Sequence, residues 1–579
     1  MKLTKFLFIN IVSTGLLILL SLLSYSIYGI NIFGYDTPKY LYQIRILKNY
    51  GLMLLIPESV KEELTIKFNY IYLYTFLAYF LSQVLSINYV NAITAFSVII
   101  LVPLYGFTLF IIVFMLLETL YSSVSNFRTR LIFVLLALVS SILAMYSIST
   151  AYLVTHLFRQ FFNIILFNIL LILVISELRT SQQPRKYGKL YLFVLILVMV
   201  FNQIESAIFT LMYMTLLAVI FRITKSRYLM ELSEQYIMSI VAFIVSSVLI
   251  IVLSMLLGIE QVVGIVSSSI KGFMYYSSRQ ESLINLILTS EHRLGTDILG
   301  GKYGLFINMF ILIATSILFI LDIQVKRTRI TNKVILPLGT LVFLVTIISF
   351  TPGLPWVFQT RTLMFLPWPL LYLCFGYYLF LSRRYQITKI GTFLLVAMIL
   401  VPMVFNAAYS YKEFIPRWTK PYIDTRVLDY ITTINEKICL RNNYIVYVIY
   451  IPKYNYWEFA VAWLYRNWLY ALTDCKALVY YGQVSDLLKN INSLSYRTFS
   501  EKVYKDYHDV IVNLKETNSE VLGILNSTKG VPIVIIKPLY QGNDLDMLNS
   551  LNHPCLVTTE QENFMNSSLI ICYYSNHSS

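Results

Sequence analysis

The segment Ala95–Leu117, AFSVIILVPLYGFTLFIIVFMLL, carries no charged side chain. Wound as a helix at about 1.5 Å per residue, it reaches the roughly 30 Å thickness of bilayer hydrocarbon. Phe6–Tyr28 and Tyr236–Leu257 are apolar runs of the same kind. One such run makes an anchor; many make a bundle. The chain of 579 residues is 58% hydrophobic and only 13% charged, with a mean hydropathy of +0.68. A water-soluble globule sits near half apolar and about a quarter charged. Too little polar surface remains here to cover a soluble particle, so the composition predicts a polytopic membrane protein.

The formal net charge is +15. In a bundle, basic residues flank the spans and set topology, so no nucleic-acid partner is read from this charge. The first run follows Lys2 and Lys5, is too long for a signal-peptide core, and has no small-residue cleavage site after it. It reads as an uncleaved first span.

Eleven spans are expected, at 6–28, 93–117, 131–147, 161–176, 190–201, 206–221, 236–257, 305–321, 334–350, 364–382 and 390–408. The segment Tyr70–Ile87 is apolar but ambiguous. With it off the span list, the short basic loops fall on one side with the N-terminus: Arg128 and Arg130; Arg179, Arg185, Lys186 and Lys189; Arg222, Lys225 and Arg227; Lys326, Arg327, Arg329 and Lys333; Arg383, Arg384 and Lys389. That is the pattern of cytoplasmic loops. The outer loops are then 29–92, 148–160, 202–205, 258–304 and 351–363. A twelve-span arrangement with the N-terminus outside is the alternative. Both put the tail on the extracytoplasmic side of a cell membrane.

After Ala408 the composition turns polar, so residues 1–408 read as the bundle and 409–579 as a soluble domain. Tyr444–Ile451, Lys476–Tyr481, Asp509–Leu514 and Val531–Lys537 read as strands, and Trp457–Leu472 and Val521–Leu525 as helices. Such alternation predicts an α/β layer structure. Acceptor triplets for N-glycosylation begin at Asn526, Asn566 and Asn576, which fits an extracytoplasmic glycoprotein. Of five cysteines, only Cys374 lies in the bundle; Cys439, Cys475, Cys555 and Cys572 lie in the tail. Two disulfides or four unpaired thiols both fit that count. No Gly-rich phosphate loop, Cys-x-x-Cys pair or Gly-x-Ser-x-Gly elbow occurs in the tail, so chemistry is sought in the bundle.

The first outer loop reads Gly34-Tyr35-Asp36-Thr37-Pro38-Lys39-Tyr40-Leu41 and continues to Gly51. Tyr40, Ile44 and Leu47 recur at helical spacing, which predicts a short interfacial helix ending near Gly51. Asp36, held at the membrane surface, can act as a base or take a metal. Asp-Thr-Pro is equally a good helix start. A first span followed by an outer loop that opens on this aspartate and an Asp-x-Pro-x-Tyr-Leu helix resembles the GT-C superfamily of membrane glycosyltransferases. That superfamily includes oligosaccharyltransferases, protein O-mannosyltransferases and aminoarabinose transferases.

The resemblance covers the layout of residues 1–408. It implies a sugar donor linked to polyprenyl or dolichyl phosphate, an acceptor on the outer face (protein, lipid or glycan), and 70–87 as a membrane-surface helix. It makes Asp36 the catalytic base or a ligand for a divalent metal, Mg or Mn. The second outer loop often carries another carboxylate in that superfamily; here it has His156 and Arg159, which puts metal dependence in doubt. His156 could be a ligand or proton carrier, or an interfacial histidine.

Glu205 sits between two apolar spans, where a carboxylate is costly and suggests function. The long loop 258–304 holds His292 and, in oligosaccharyltransferases, the corresponding loop closes over acceptor and donor. Arg361, at the expected outer mouth of a span, suits a lipid phosphate through its planar fork; snorkelling beside Trp356 is the other reading. The sequence thus points to a lipid-phosphate-dependent glycosyltransferase using Asp36 and Glu205, with Arg361, His156, Arg159 and His292 at the substrate. The alternatives are a transporter or flippase of a lipid-linked or polar substrate, and a non-catalytic membrane protein of envelope assembly.

Overall fold

The computed structural model describes residues 2–30, 37–53, 56, 71–120, 127–155, 157–180, 188–223, 227–256, 301–325, 333–351, 354, 356–378 and 389–418, and in the tail 444–449, 471, 476–481, 533–539, 555–557 and 568–574. The chain divides into two compact units. One comprises Met1–Ile30, Tyr72–Leu81 and Thr94–Trp418; the other comprises Asn31–Ile71, Ser82–Ile93 and Thr419–Ser579.

The first unit is helical. In chain order it contains α1 (Lys2–Tyr28), then α4 (Val102–Leu120), α5 (Phe127–Met145), α6 (Ile148–Thr155), α7 (Phe158–Thr180), α8 (Gly188–Asn202), α9 (Ile204–Ile223), α10 (Arg227–Leu256), α11 (Gly301–Val325), α12 (Leu336–Phe350), α13 (Trp356–Leu363), α14 (Trp368–Gly376) and α15 (Lys389–Tyr409). The second unit holds α2 (Thr37–Tyr50), and α3 (Leu73–Val84) runs from the first unit into the second.

Among the described residues, helices lie where the apolar runs predict them. Among the described residues five helical stretches are long and apolar enough to cross a membrane: Tyr89–Thr119, Phe158–Arg179, Glu205–Ile223, Leu229–Leu249 and Ile307–Gln324. The bent pair α5/α6 makes six if it forms one span. This makes the chain a multi-pass membrane protein. Helix α1 covers the whole of the expected 6–28, and 190–201 and 334–350 hold the shorter apolar helices Leu190–Val200 and Leu336–Phe350. Helix α3, inside the ambiguous 70–87 segment, has 12 residues. It rises only about 18 Å, short of the hydrocarbon thickness.

Three expected outer loops also differ from the structure. Much of 148–160 and 351–363 is helical, as α6 and α13, and 202–205 is interrupted only at Gln203. Apolar content alone did not show the breaks that separate these helices. Between α5 and α6 the chain bends by 51°. Ser147 Oγ accepts from the Thr150 N–H at 3.3 Å, while Thr150 Oγ1 donates to the Ala144 carbonyl at 2.7 Å. Each side chain thus serves a helix end that the bend would leave unpaired. The expected span 364–382 begins with a turn, and its helix starts only at Trp368. The N–H groups of Met364, Phe365 and Leu366 turn back to the carbonyls three residues earlier. Pro367 then supplies no donor, and α14 begins behind it with Pro369 in its first turn.

Packing around these breaks is close. Phe167 of α7 meets Tyr213, Phe365 and Phe209 at centroid distances of 5.1, 5.3 and 5.7 Å. Tyr213, fully buried, donates its hydroxyl to the Pro337 carbonyl at 3.1 Å. On α12, a Cβ at Gly339 would lie 2.3 Å from the Phe319 ring of α11, so only glycine permits that approach. Asn168 Nδ2 donates to Thr108 Oγ1 at 3.2 Å, a polar tie between α7 and α4 in otherwise apolar surroundings.

In the second unit, α2 begins at Thr37 and ends before Gly51, as the spacing predicts. Gly51 has φ +88° and donates its N–H to the Leu47 carbonyl at 3.1 Å, the left-handed ending that glycine favours. Tyr40, Ile44 and Leu47 are buried. The tail contains a five-stranded mixed sheet. Its strands are β1 (Tyr444–Ile449), β2 (Lys476–Tyr481), β3 (Ile533–Leu539), β4 (Cys555–Val557) and β5 (Ser568–Tyr574), in the order β2-β1-β3-β5-β4. Strand β1 pairs in parallel with β2 and β3, whereas β5 is antiparallel to both β3 and β4. The expected strand Asp509–Leu514 and helix Val521–Leu525 lie outside the described residues, as does Trp457–Leu472 apart from Ala471.

Candidate functional site

The polar residues of the first unit converge where α7 starts, where α8 passes into α9, and where α13 ends. Glu205 stands in the first turn of α9 and Arg361 in the last turn of α13. A helix start favours an anion and a helix end favours a cation, so each charge suits its own helix before the two meet. They form an ion pair, Arg361 Nη1 to Glu205 Oε2. The side chains keep 28% and 33% of their exposure respectively. The pair is therefore screened less than a surface bridge yet open to an incoming group.

A ring of amides holds this pair. Gln203 Nε2 donates to Glu205 Oε2 at 2.8 Å, and Ser206 Oγ donates to Gln203 Oε1 at 3.2 Å. From α7, Gln160 Nε2 donates to the Arg361 carbonyl at 2.8 Å, fixing the arginine's backbone. Gln160 Oε1 is buried and has no hydrogen-bond partner among the described residues. Asn202 is the hub of the α8/α9 break. Its Nδ2 donates to the Arg159 carbonyl at 2.6 Å and to Asn163 Oδ1 at 3.0 Å, and its Oδ1 accepts from the Tyr74 N–H at 3.3 Å. Asn163 Nδ2 in turn donates to the carbonyls of Met199 and Gln203, at 3.2 and 3.3 Å. Around the turn at Gln203, the Asn163 side chain thus adds a second bond to carbonyls that already accept backbone N–H groups, Met199 from Gln203 and Gln203 from Ala207.

Arg159 adds a second cation close by. Its Nη1 donates to the Asn202 carbonyl at 3.4 Å, and its guanidinium Cζ lies 3.9 Å from the centre of the Tyr72 ring. Face-on stacking of this kind orients an arginine without neutralising it.

Of the residues singled out in the sequence, the structure brings Glu205, Arg361 and Arg159 into one neighbourhood. Asp36, His156 and His292 lie outside the described residues. Arg361 and Arg159 both stand within helices instead of loops, because α13 and α7 extend across positions whose hydropathy alone suggested a connection. Asn163, Gln160, Asn202 and Gln203 were not anticipated. Their signal was available: amides buried within long apolar runs need internal partners.

No cluster of three or more His, Cys, Asp or Glu side chains occurs among the described residues. The carboxylate of the site, Glu205, already faces a guanidinium and an amide donor, which oppose a divalent cation. The described residues therefore do not fit a metal centre.

No protein-family model matches the chain, and no curated protein matches it. Among solved structures, the fold is similar to archaeal oligosaccharyltransferase AglB from Archaeoglobus fulgidus in complex with an inhibitory peptide and a dolichol-phosphate. The identity is 10% over 92% of this chain and 70% of that one, with a TM-score of 0.44. A complex of the Archaeoglobus fulgidus oligosaccharyltransferase with Zn and sulfate aligns at 9% identity over 95% and 72% of the two chains, TM-score 0.45. Its apo form aligns at 10% over 91% and 69%, TM-score 0.43.

Proposed function

We propose that this protein is a membrane glycosyltransferase of GT-C type, moving a sugar from a polyprenyl or dolichyl phosphate carrier to an acceptor on the outer face. The observation that carries this reading is Arg361, whose partly exposed guanidinium is paired with Glu205 while Gln160 holds its backbone carbonyl. An arginine so positioned can turn its fork from a carboxylate to a phosphate oxygen. Glu205 keeps Gln203 as a donor, and Arg159 remains nearby as a second cation.

In the reaction, an acceptor oxygen or nitrogen attacks the anomeric carbon of the sugar. The bond from that carbon to the carrier phosphate breaks, and the phosphate leaves with the bonding electrons. Arg361 stabilises the charge growing on it. Asp36 takes the acceptor proton as general base. His156 and His292 stand at the substrate in this reading, and the loop 258–304 helps close the site. The eleven-span arrangement, the cytoplasmic N-terminus and an extracytoplasmic α/β domain over 409–579 belong to the same proposal.

The test is transfer from a radiolabelled polyprenyl-phosphate sugar in membranes carrying the protein. Arg361→Ala should lower transfer by about 100-fold or more, the scale of removing one transition-state donor, and Asp36→Asn should abolish it. Unchanged transfer in Arg361→Ala removes this role from Arg361.

A transporter reading has one observation in its favour: helix breaks beside a charge pair, at Gln203 next to Glu205 and at Met364–Pro367 next to Arg361. Substrate sites of transporters are built from discontinuous helices of this sort. Uptake into sealed proteoliposomes without any sugar transfer would favour it.

A further inference from the structure

Strand β4 forms one edge of the tail sheet and is only three residues long. A ladder this short offers few hydrogen bonds to hold an edge in place, and edges need some form of protection. In the antiparallel register with β5, Cys555 is directly opposite Cys572. Directly opposed residues in such a ladder have Cα atoms roughly 4.5 or 5.5 Å apart, according to whether the pair is hydrogen-bonded. Both values fall within the roughly 4.4–6.8 Å that a disulfide spans. Two of four tail cysteines sharing one register position is a stronger statement than an even count.

We propose that Cys555 and Cys572 are joined by a disulfide that fastens the edge strand β4 to β5. The inference rests on the reading that the tail lies on the extracytoplasmic side, where oxidation persists. In the reaction each thiol gives up its proton. One thiolate attacks a disulfide of a thiol–disulfide oxidoreductase, and the second thiolate displaces the mixed disulfide. The protein disulfide forms, two electrons pass to the oxidoreductase, and its disulfide is reduced to a dithiol.

The full-length protein in its native membranes is alkylated with N-ethylmaleimide without reductant, digested and analysed by mass spectrometry. The expected result is one linked peptide pair containing Cys555 and Cys572, released as two free peptides only after reduction. A link from either residue to Cys439 or Cys475 overturns the proposal, and so do free thiols at both positions. Labelling of intact cells with an impermeant amine reagent separates two causes of free thiols. A tail shielded from the reagent puts the fault in its sidedness. A tail that is labelled puts the fault in the pairing.

Discussion

Glu205 opens one helix and Arg361 closes another 156 residues later, and their side chains meet in an ion pair. Each sits at the helix end whose dipole suits its charge. The contact joins α9 to α13 and orients the arginine through which a phosphate could bind.

A double-mutant cycle on this pair should show coupling. With Glu205→Gln, Arg361→Gln and the double variant, thermal unfolding in detergent should give about 1–3 kcal/mol of interaction energy. That range lies between the values for exposed and fully buried pairs, as the side chains' partial exposure requires. Coupling near zero would mean the two charges do not support each other.

The Asn202 side chain, at the α8/α9 break, meets three groups: two on α7 and one on α3. Asn202→Ala removes the donor to the Arg159 carbonyl and to Asn163 Oδ1, and the acceptor of the Tyr74 N–H. Destabilisation of about 1–3 kcal/mol is expected, together with a loss of sugar transfer larger than the loss of folded protein. Wild-type transfer at unchanged melting temperature would show that the amide network does not position the site.

Gly339 faces the Phe319 ring at a distance no side chain permits. Gly339→Leu should lower thermal stability by about 1–3 kcal/mol, the usual cost of overpacking. Phe319→Ala in the same chain should restore part of it, because the ring is the atom group that must move. Absence of rescue would locate the damage elsewhere on α12.

Ser147 caps α6 at its bend from α5. Ser147→Ala should cost about 1 kcal/mol, the typical value of an N-cap, whereas Ser147→Asp should retain most of the stability. Equal melting temperatures for all three proteins would show that the bend is held by packing alone.

Much of the fold was legible because burial in lipid demands long apolar helices, and such runs are visible residue by residue. The α2 helix was legible from Tyr40, Ile44, Leu47 and Gly51, since both its period and its stop signal are local. The strands β1, β2 and β3 were recognised within a few residues from their apolar runs. Strand β4 was missed because three residues carry no periodicity, and β5 was missed with it.

The candidate site was legible only as separate charges. Glu205 stood out as a carboxylate between two apolar runs, and Arg361 as a cation beside a third. By itself, the sequence determined that this is a chain of apolar helices with a polar tail, and that a few charged residues would have to find partners. Local hydrophobicity and helix signals act over a handful of residues, so they suffice for that much. Only the tertiary structure decided that Glu205 partners Arg361, that Asn202 and Gln203 secure the α8/α9 turn, and that Cys555 stands opposite Cys572. Those pairings depend on helix packing and strand register, which bring together residues far apart in the chain.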